Sequence, residues 1–170
     1  MKKLYFLVTA IIALLSFSGC QKTCEDGYTG SNCDVEKTPV KMTITKVTVK
    51  SFAANDPNGS QWDIGNSGDI YIAITGESTT NEIWRATTYY EDAAATGSYS
   101  FNPTTPIDIL YPTMTYNVVL YDNDGGTFIN PDDQMGVVPF KPYQSGSLFP
   151  SVLTFSSGSM SVDVAVTYAW

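Results

Sequence analysis

Histidine is absent from the 170 residues, only three cysteines occur, and nine lysines and arginines face 17 acidic side chains. Each shortage removes a class of chemistry. Without imidazole the chain cannot assemble a Ser-His-Asp or Cys-His nucleophile, nor a zinc centre that relies on histidine ligands. A formal charge of −8 repels phosphate backbones and anionic head groups, which argues against direct nucleic-acid binding unless a cation intervenes. Missing too is a sustained helical stripe, since no segment repeats apolar residues at the spacing of an amphipathic helix. Two carboxylates can perform glycosidase chemistry, but the candidate pair, Glu82 and Glu91, falls on one strand-like run and its end. The expectation is a non-catalytic protein.

What is present begins with the amino terminus. Lys2 and Lys3 precede an apolar stretch at 4–17, then the small pair Ser18-Gly19, then Cys20. That order is the order of a secretory signal, and the apolar stretch is shorter than the roughly 20 residues that span a bilayer. The small residues ahead of Cys20 resemble a bacterial lipobox, with Phe17 where leucine is more usual. The resemblance implies cleavage before Cys20 and acylation of its thiol, each buried methylene then contributing about 0.8 kcal/mol to a membrane anchor. A plain signal peptide or an uncleaved anchor is the alternative. The expected location is the cell envelope, as an outer-membrane lipoprotein facing the periplasm or the surface. Loss of Lys2 and Lys3 leaves seven basic residues against 17 acidic ones, a formal charge of −10, which favours multivalent cations as partners.

Cys24 and Cys33 are the cysteines left once Cys20 is acylated, and in an exported chain two such thiols are expected to pair. Closing that ten-residue loop restricts the unfolded chain by roughly 2.5–3 kcal/mol. The run from Cys24 through Gly27, Tyr28 and Gly30 to Cys33 resembles the closing half of an epidermal-growth-factor-like (EGF-like) module. The other four cysteines of that module are absent, so its calcium and receptor functions do not carry over, and the segment is expected to be a disulfide-closed spacer. Glu25-Asp26, soon after the lipidated cysteine, resembles the surface-export signals of some Bacteroidetes lipoproteins, with a solvated turn as the alternative. Pro39 punctuates the polar stretch before the first strand-like run. The expected organisation is a signal at 1–19, a lipidated tether at 20–39 and one domain at 40–170.

That domain is long enough to bury a core unaided. Met160, Val162, Val164, Val166 and Tyr168 alternate with Ser161, Asp163, Ala165, Thr167 and Ala169, the period of a half-buried strand. Similar runs occupy 42–52, 70–75, 82–90, 98–101 with 107–110, 115–121, 135–140 and 152–155, separated by turn-forming clusters at 55–59, 123–126 and 156–158. About eight strands joined by turns predict an all-β fold, an antiparallel β-sandwich, with a closed barrel as the alternative.

The aspartates are unevenly placed. Asp63 and Asp69 lie six apart in the loop after the first long strand, and Asp122, Asp124, Asp132 and Asp133 lie in the loop after the run that ends at Tyr121. Short carboxylates at alternating loop positions, with glycines for tight turns, suit a hard cation that takes six to eight oxygens. Aspartates also cap turns in any sandwich through nearby backbone N–H groups. That reading is expected for Asp56 and Asp92, and a plain strand position for Asp108 and Asp163.

In this pattern the chain resembles the C2 domain, the calcium- and phospholipid-binding sandwich named after a conserved region of protein kinase C. The family's first calcium loop has two aspartates six apart, the second followed by Pro-Tyr; here Asp63 and Asp69 match, with Ile70 in place of proline before Tyr71. Its third loop has Asp-x-Asp, an interval, and Asp-x-apolar-Gly, matched by Asp122, Asp124 and Asp133-Gln134-Met135-Gly136. Gly158 to Val164 looks like the family's last strand. The resemblance spans 40–170 and implies an eight-stranded C2-like sandwich that binds calcium through Asp63, Asp69, Asp122, Asp124 and Asp133. Two departures stand out. The interval after Asp124 is longer than usual, which makes Asp132 a competitor for the role of Asp133. The lysine-rich strand that many C2 domains use for phosphoinositides offers only Arg85 here, which counts against membrane binding by that face. Trp62 and Phe128, in the presumed calcium loops, are candidate contacts for a glycan, lipid or protein ligand at the loop rim. Trp84, Tyr89, Tyr90 and Tyr99 are further aromatic candidates if the ligand is a sugar and the acidic loops are only structural.

Overall fold

The computed structural model describes residues 22–63, 66–125 and 131–170; the expected signal segment, Cys20 and Phe128 lie outside them. The chain divides into two compact units, Met1–Glu36 and Lys37–Trp170. In the first, strands β1 (Tyr28–Thr29) and β2 (Val35–Glu36) pair antiparallel. A Cys24–Cys33 disulfide closes the hairpin, with Cα atoms 5.2 Å apart. Gly30 turns the chain at φ 91°, and a Cβ there would lie 3.1 Å from both Asp34 and Val35, so the small residue is required twice over.

The second unit is two antiparallel sheets. One contains β3 (Lys41–Ser51), β6 (Tyr99–Phe101), β7 (Ile107–Ile109), β10 (Val152–Ser157) and β11 (Met160–Ala169). The other contains β4 (Ile70–Thr75), β5 (Glu82–Arg85), β8 (Tyr116–Asp122) and β9 (Asp133–Phe140). Their orders are β10-β11-β3-β6, with β7 also on β3, and β5-β4-β8-β9. The all-β antiparallel sandwich expected from alternation is the observed fold. Among the described residues its strands number nine rather than eight because β6 and β7, which pair with Val47–Val49 and Met42–Ile44 of β3, are two pieces of one interrupted edge.

Strand β3 shows how the sequence reaches this arrangement. Met42 and Ile44 are buried, then Val47 and Val49, so the buried set changes from even to odd numbers. The register against β11 explains it: Ile44 pairs with Val166 and Lys46 with Ala165, leaving Thr45 as an extra residue. Such a bulge keeps both apolar pairs on the core side, and Thr45 ties itself back through its hydroxyl to the Ala165 carbonyl at 3.3 Å. Across β11, Met160, Val162, Val164 and Val166 are all buried. In the opposite sheet Ile70, Ile72 and Ile74 of β4 join Val118 and Leu120 of β8 in the same core cluster.

The expected strand at 82–90 is shorter than its composition suggests. β5 ends at Arg85, although the Ala86 N–H still reaches the Ile72 carbonyl. The chain then leaves the edge at Thr87-Thr88 and touches β4 again only where Tyr90 bridges Ile70. Threonine and tyrosine favour strands in general, but an edge position has one partner only, and the loop that carries Glu91 and Asp92 draws the chain away.

Candidate metal centre

Antiparallel pairing of β4 with β8 decides where the acidic loops meet. Ile70, which opens β4, lies opposite Asp122, which closes β8. One residue outward the Asn123 N–H donates to the Asp69 carbonyl at 2.7 Å. The loop that carries Asp63 and Asp69 therefore leaves the sandwich beside the loop that carries Asp122 and Asp124. Asp63, Asp122 and Asp124 each place a carboxylate oxygen within 4.8 Å of the other two.

Asp122 is the unusual member. It shares the inward side of β8 with Tyr116, Val118 and Leu120, because side chains alternate along a strand, and it is fully buried. One of its oxygens accepts the Asp69 N–H at 2.6 Å. The other, Oδ2, is buried with no hydrogen-bond partner among the described residues. Burial pushes the carboxyl up to about 6, the charges of Asp63, Asp124 and Asp69 push the same way, and the Asp69 N–H opposes them. Asp63 is also raised, by burial first and then by Asp69, Asp124 and Asp92. Charges this close repel by on the order of 3 kcal/mol per ionised pair at an effective dielectric constant near 20.

Gly68 makes room for this arrangement. A Cβ at that position would stand 2.9 Å from Asp122 Oδ1 and 3.1 Å from the Cβ of Trp62. Alanine would therefore force the buried carboxylate or the indole to shift.

The remaining expected ligands take other positions. Asp69 gives one carboxylate oxygen to the Asp92 N–H at 2.9 Å, so it braces the neighbouring loop while adding negative charge to the cluster. Asp133 pairs with Asp122 across the β8–β9 ladder and is exposed, outside the group of three. Asp132, the competitor, turns back toward the cluster: its Oδ1 accepts the Asp124 N–H at 3.2 Å and its Oδ2 accepts the Tyr71 hydroxyl at 2.6 Å. Trp62 is half-buried, packed against the core, with its indole N–H on the Ala53 carbonyl at 2.8 Å. Its ring is anchored in the sandwich rather than presented at a loop tip. Trp84 and Tyr99 likewise pack against the core, and Tyr90 lies tilted against Tyr99 and edge-on to Phe101. Tyr89 is 46% exposed.

Beside the acids lies a network that no sequence motif marks. Tyr71 and Tyr121, opposite each other on β4 and β8, stack with centroids 5.2 Å apart. The Arg85 guanidinium lies over both rings, at 5.2 and 5.3 Å. Arg85 also donates to the Tyr71 hydroxyl at 2.7 Å and to Glu82 at 2.9 Å. Burial and the bond to Asp132 hold the Tyr71 phenol well above its ordinary range, so it stays a donor. The chain Glu82–Arg85–Tyr71–Asp132–Asp124 thus runs from the edge strand to the acidic cluster. Its only trace in the sequence is that Arg85, Tyr71 and Tyr121 share a face once the register is known.

The turn-capping role expected of Asp56 is visible, whereas the Asp92 carboxylate accepts the Asn66 side-chain amide. Asp56 accepts the N–H groups of Asn58 and Ser60. Asp108 and Asp163, on strands, receive Lys41 with Thr43 and Lys50 with Thr154. Those partners hold both carboxyls below the usual range.

No protein family and no curated protein matches the chain. Solved structures do. Human GIVD cytosolic phospholipase A2 in complex with methyl gamma-linolenyl fluorophosphonate superposes on 76% of the chain with a TM-score of 0.52 and 14% identity; the chain spans 17% of that enzyme's length. Similar structures also include a C2 domain, at 11% identity and TM-score 0.48 over 76% of this chain and 98% of that one. A C2 domain of plant extended synaptotagmin 1 is another, at 12% identity and TM-score 0.44 over 78% of this chain and 97% of that one. The likeness is one of fold.

Proposed function

We propose that this chain is an exported, lipid-anchored protein whose sandwich is a C2-like, non-catalytic recognition module that binds calcium between its acidic loops. The observation that carries the reading is Asp122. A carboxylate that is fully buried, flanked by Asp63 and Asp124, and left with an oxygen that no donor among the described residues reaches is costly unless a cation supplies the missing partner. Three carboxylate oxygens gathered this closely suit a hard divalent ion, which completes its shell with backbone carbonyls and water. Zinc and copper favour histidine or thiolate, and the chain has no histidine. In this reading Asp63, Asp122 and Asp124 hold the ion, Asp69 and Asp132 position the loops from behind, and Asp133 contributes charge from the rim.

The ion would neutralise part of the acidic rim and present open coordination positions to an anionic group of a ligand. Anchoring rests on the Cys20 motif, which favours an envelope location. Calorimetric titration of the purified chain with calcium tests the reading: heat is expected in the wild type and is expected to vanish in Asp124→Asn. No heat at millimolar calcium, or heat unchanged in that variant, would reject it.

A further inference from the structure

At the opposite end of β4 and β8, some 17 Å from the acidic rim at about 3.3 Å per residue, lies a cleft of a different character. Its volume is about 620 Å³, within the range of small-ligand sites. It is lined by two segments: the one before β8 supplies Tyr111, 66% exposed, and Met114, 49%, and the β4–β5 turn supplies Glu77, Ser78 and Asn81 and leads into Ile83, 42% exposed.

Both segments are fixed before any ligand arrives. The buried amide of Asn117 donates to the carbonyls of Gly76 and Glu77 at 2.7 and 3.2 Å and to the Thr75 hydroxyl oxygen at 3.3 Å, which clamps the turn after β4. Gly76 and Asn81 close that turn with a backbone bond of 2.8 Å. A Cβ on Gly76 would meet the Asn81 amide nitrogen at 2.8 Å, so the glycine allows the Asn81 side chain its place over the backbone. In the segment before β8 the Tyr111 carbonyl receives the Met114 N–H at 3.0 Å and the Tyr116 hydroxyl at 3.2 Å, and the Pro112 carbonyl receives the Tyr143 N–H at 2.9 Å. A site whose walls are already ordered loses little entropy on binding.

From this pairing we infer that the cleft binds a neutral sugar unit of a polysaccharide, separately from the proposed calcium site. A pyranose has an apolar C–H face and a rim of hydroxyls. The exposed Tyr111 ring and the Met114 thioether match the face; the Glu77 carboxylate and the Asn81 amide match the rim, as acceptor and donor. Among the described residues lining the cleft Glu77 is the only charged one, which disfavours phosphates and acidic sugars. A purely apolar ligand would leave the polar groups of the turn desolvated.

Native affinity electrophoresis of the full chain through gels holding soluble β-glucan, mannan, xylan or starch tests the inference. At least one polysaccharide is expected to retard the wild type, equally in calcium and in EDTA. Tyr111→Ala should weaken that retardation by about tenfold or more, while Tyr111→Phe keeps it. The Tyr111 backbone bonds do not depend on its ring, so both variants should fold. Four results would overturn the assignment: no retardation by any of the four, retardation that survives Tyr111→Ala, retardation that requires calcium, or a concentration-dependent dimer lost in Tyr111→Ala. The last would give the cleft to a second copy of the chain. Calcium titration of the same samples reads the acidic rim independently.

Discussion

Replacing Asp122 by asparagine should change stability in opposite directions with and without calcium. In the metal-free protein the carboxyl is raised from an ordinary value near 4 to about 6, so the ionised form costs the fold on the order of 2–3 kcal/mol at pH 7. For an acid raised in this way the folded state holds its proton more tightly than the unfolded chain. Stability therefore rises as pH falls through about 6 and levels off below the unfolded value. Asparagine keeps an oxygen for the Asp69 N–H, puts an N–H₂ in place of the unpartnered oxygen, and removes a buried charge. Asp122→Asn should therefore stabilise the metal-free protein by about 2 kcal/mol at pH 7. That advantage should shrink between pH 7 and pH 5, before the acids held low by partners, Asp108 and Asp163, begin to protonate. Calcium reverses the order: a ligand at a hundredfold its dissociation constant stabilises by about 2.7 kcal/mol, and the variant should lose most of that gain. Urea unfolding followed by tryptophan fluorescence, at pH 7 and pH 5, in EDTA and in calcium, measures all four states. A metal-free variant less stable than the wild type, or one that keeps the full calcium gain, would refute the reasoning.

Gly68→Ala should lower calcium affinity by about tenfold or more, since the new methyl displaces the Asp122 carboxylate; calorimetry with near-native circular dichroism checks it. Arg85→Lys should destabilise by about 1–2 kcal/mol in urea unfolding, because an ammonium cannot lie over Tyr71 and Tyr121 while donating to both Glu82 and the Tyr71 hydroxyl. Leu120→Ala, in the fully buried centre of β8, should cost about 2–5 kcal/mol. Radiolabelled palmitate fed to cells producing the chain should be incorporated, and Cys20→Ala should abolish incorporation; label retained in that variant would remove the lipid anchor.

Alternation made the sandwich legible. Strand β11 could be read residue by residue because each apolar side chain falls on the same face. Strand β3 could be read as a strand but not in detail, because the extra residue at Thr45 is visible only when β11 lies alongside. Strand β5 reads as too long, since β-favouring residues continue after Arg85 while the edge does not. The meeting of the acidic loops is of a middle kind. The spacing of Asp63, Asp69, Asp122, Asp124 and Asp133 suggests a cation, but which carboxylates converge depends on the Ile70–Asp122 pairing. That pairing groups Asp63, Asp122 and Asp124, turns Asp69 toward the Asp92 N–H and brings Asp132 behind Asp124. The support from Tyr71 and Arg85, and the Asn117 clamp at the other pole, involve partners 14 to 61 residues apart. No local pattern announces them.

The most direct test of the account is the anomalous scattering of crystals grown in calcium. The account predicts a peak between Asp63, Asp122 and Asp124, at about 2.3–2.6 Å from their oxygens, with Asp122 Oδ2 among the ligands. A rim that shows no such peak at saturating calcium, or an ion bound at another face while Asp122 Oδ2 remains unliganded, would contradict it.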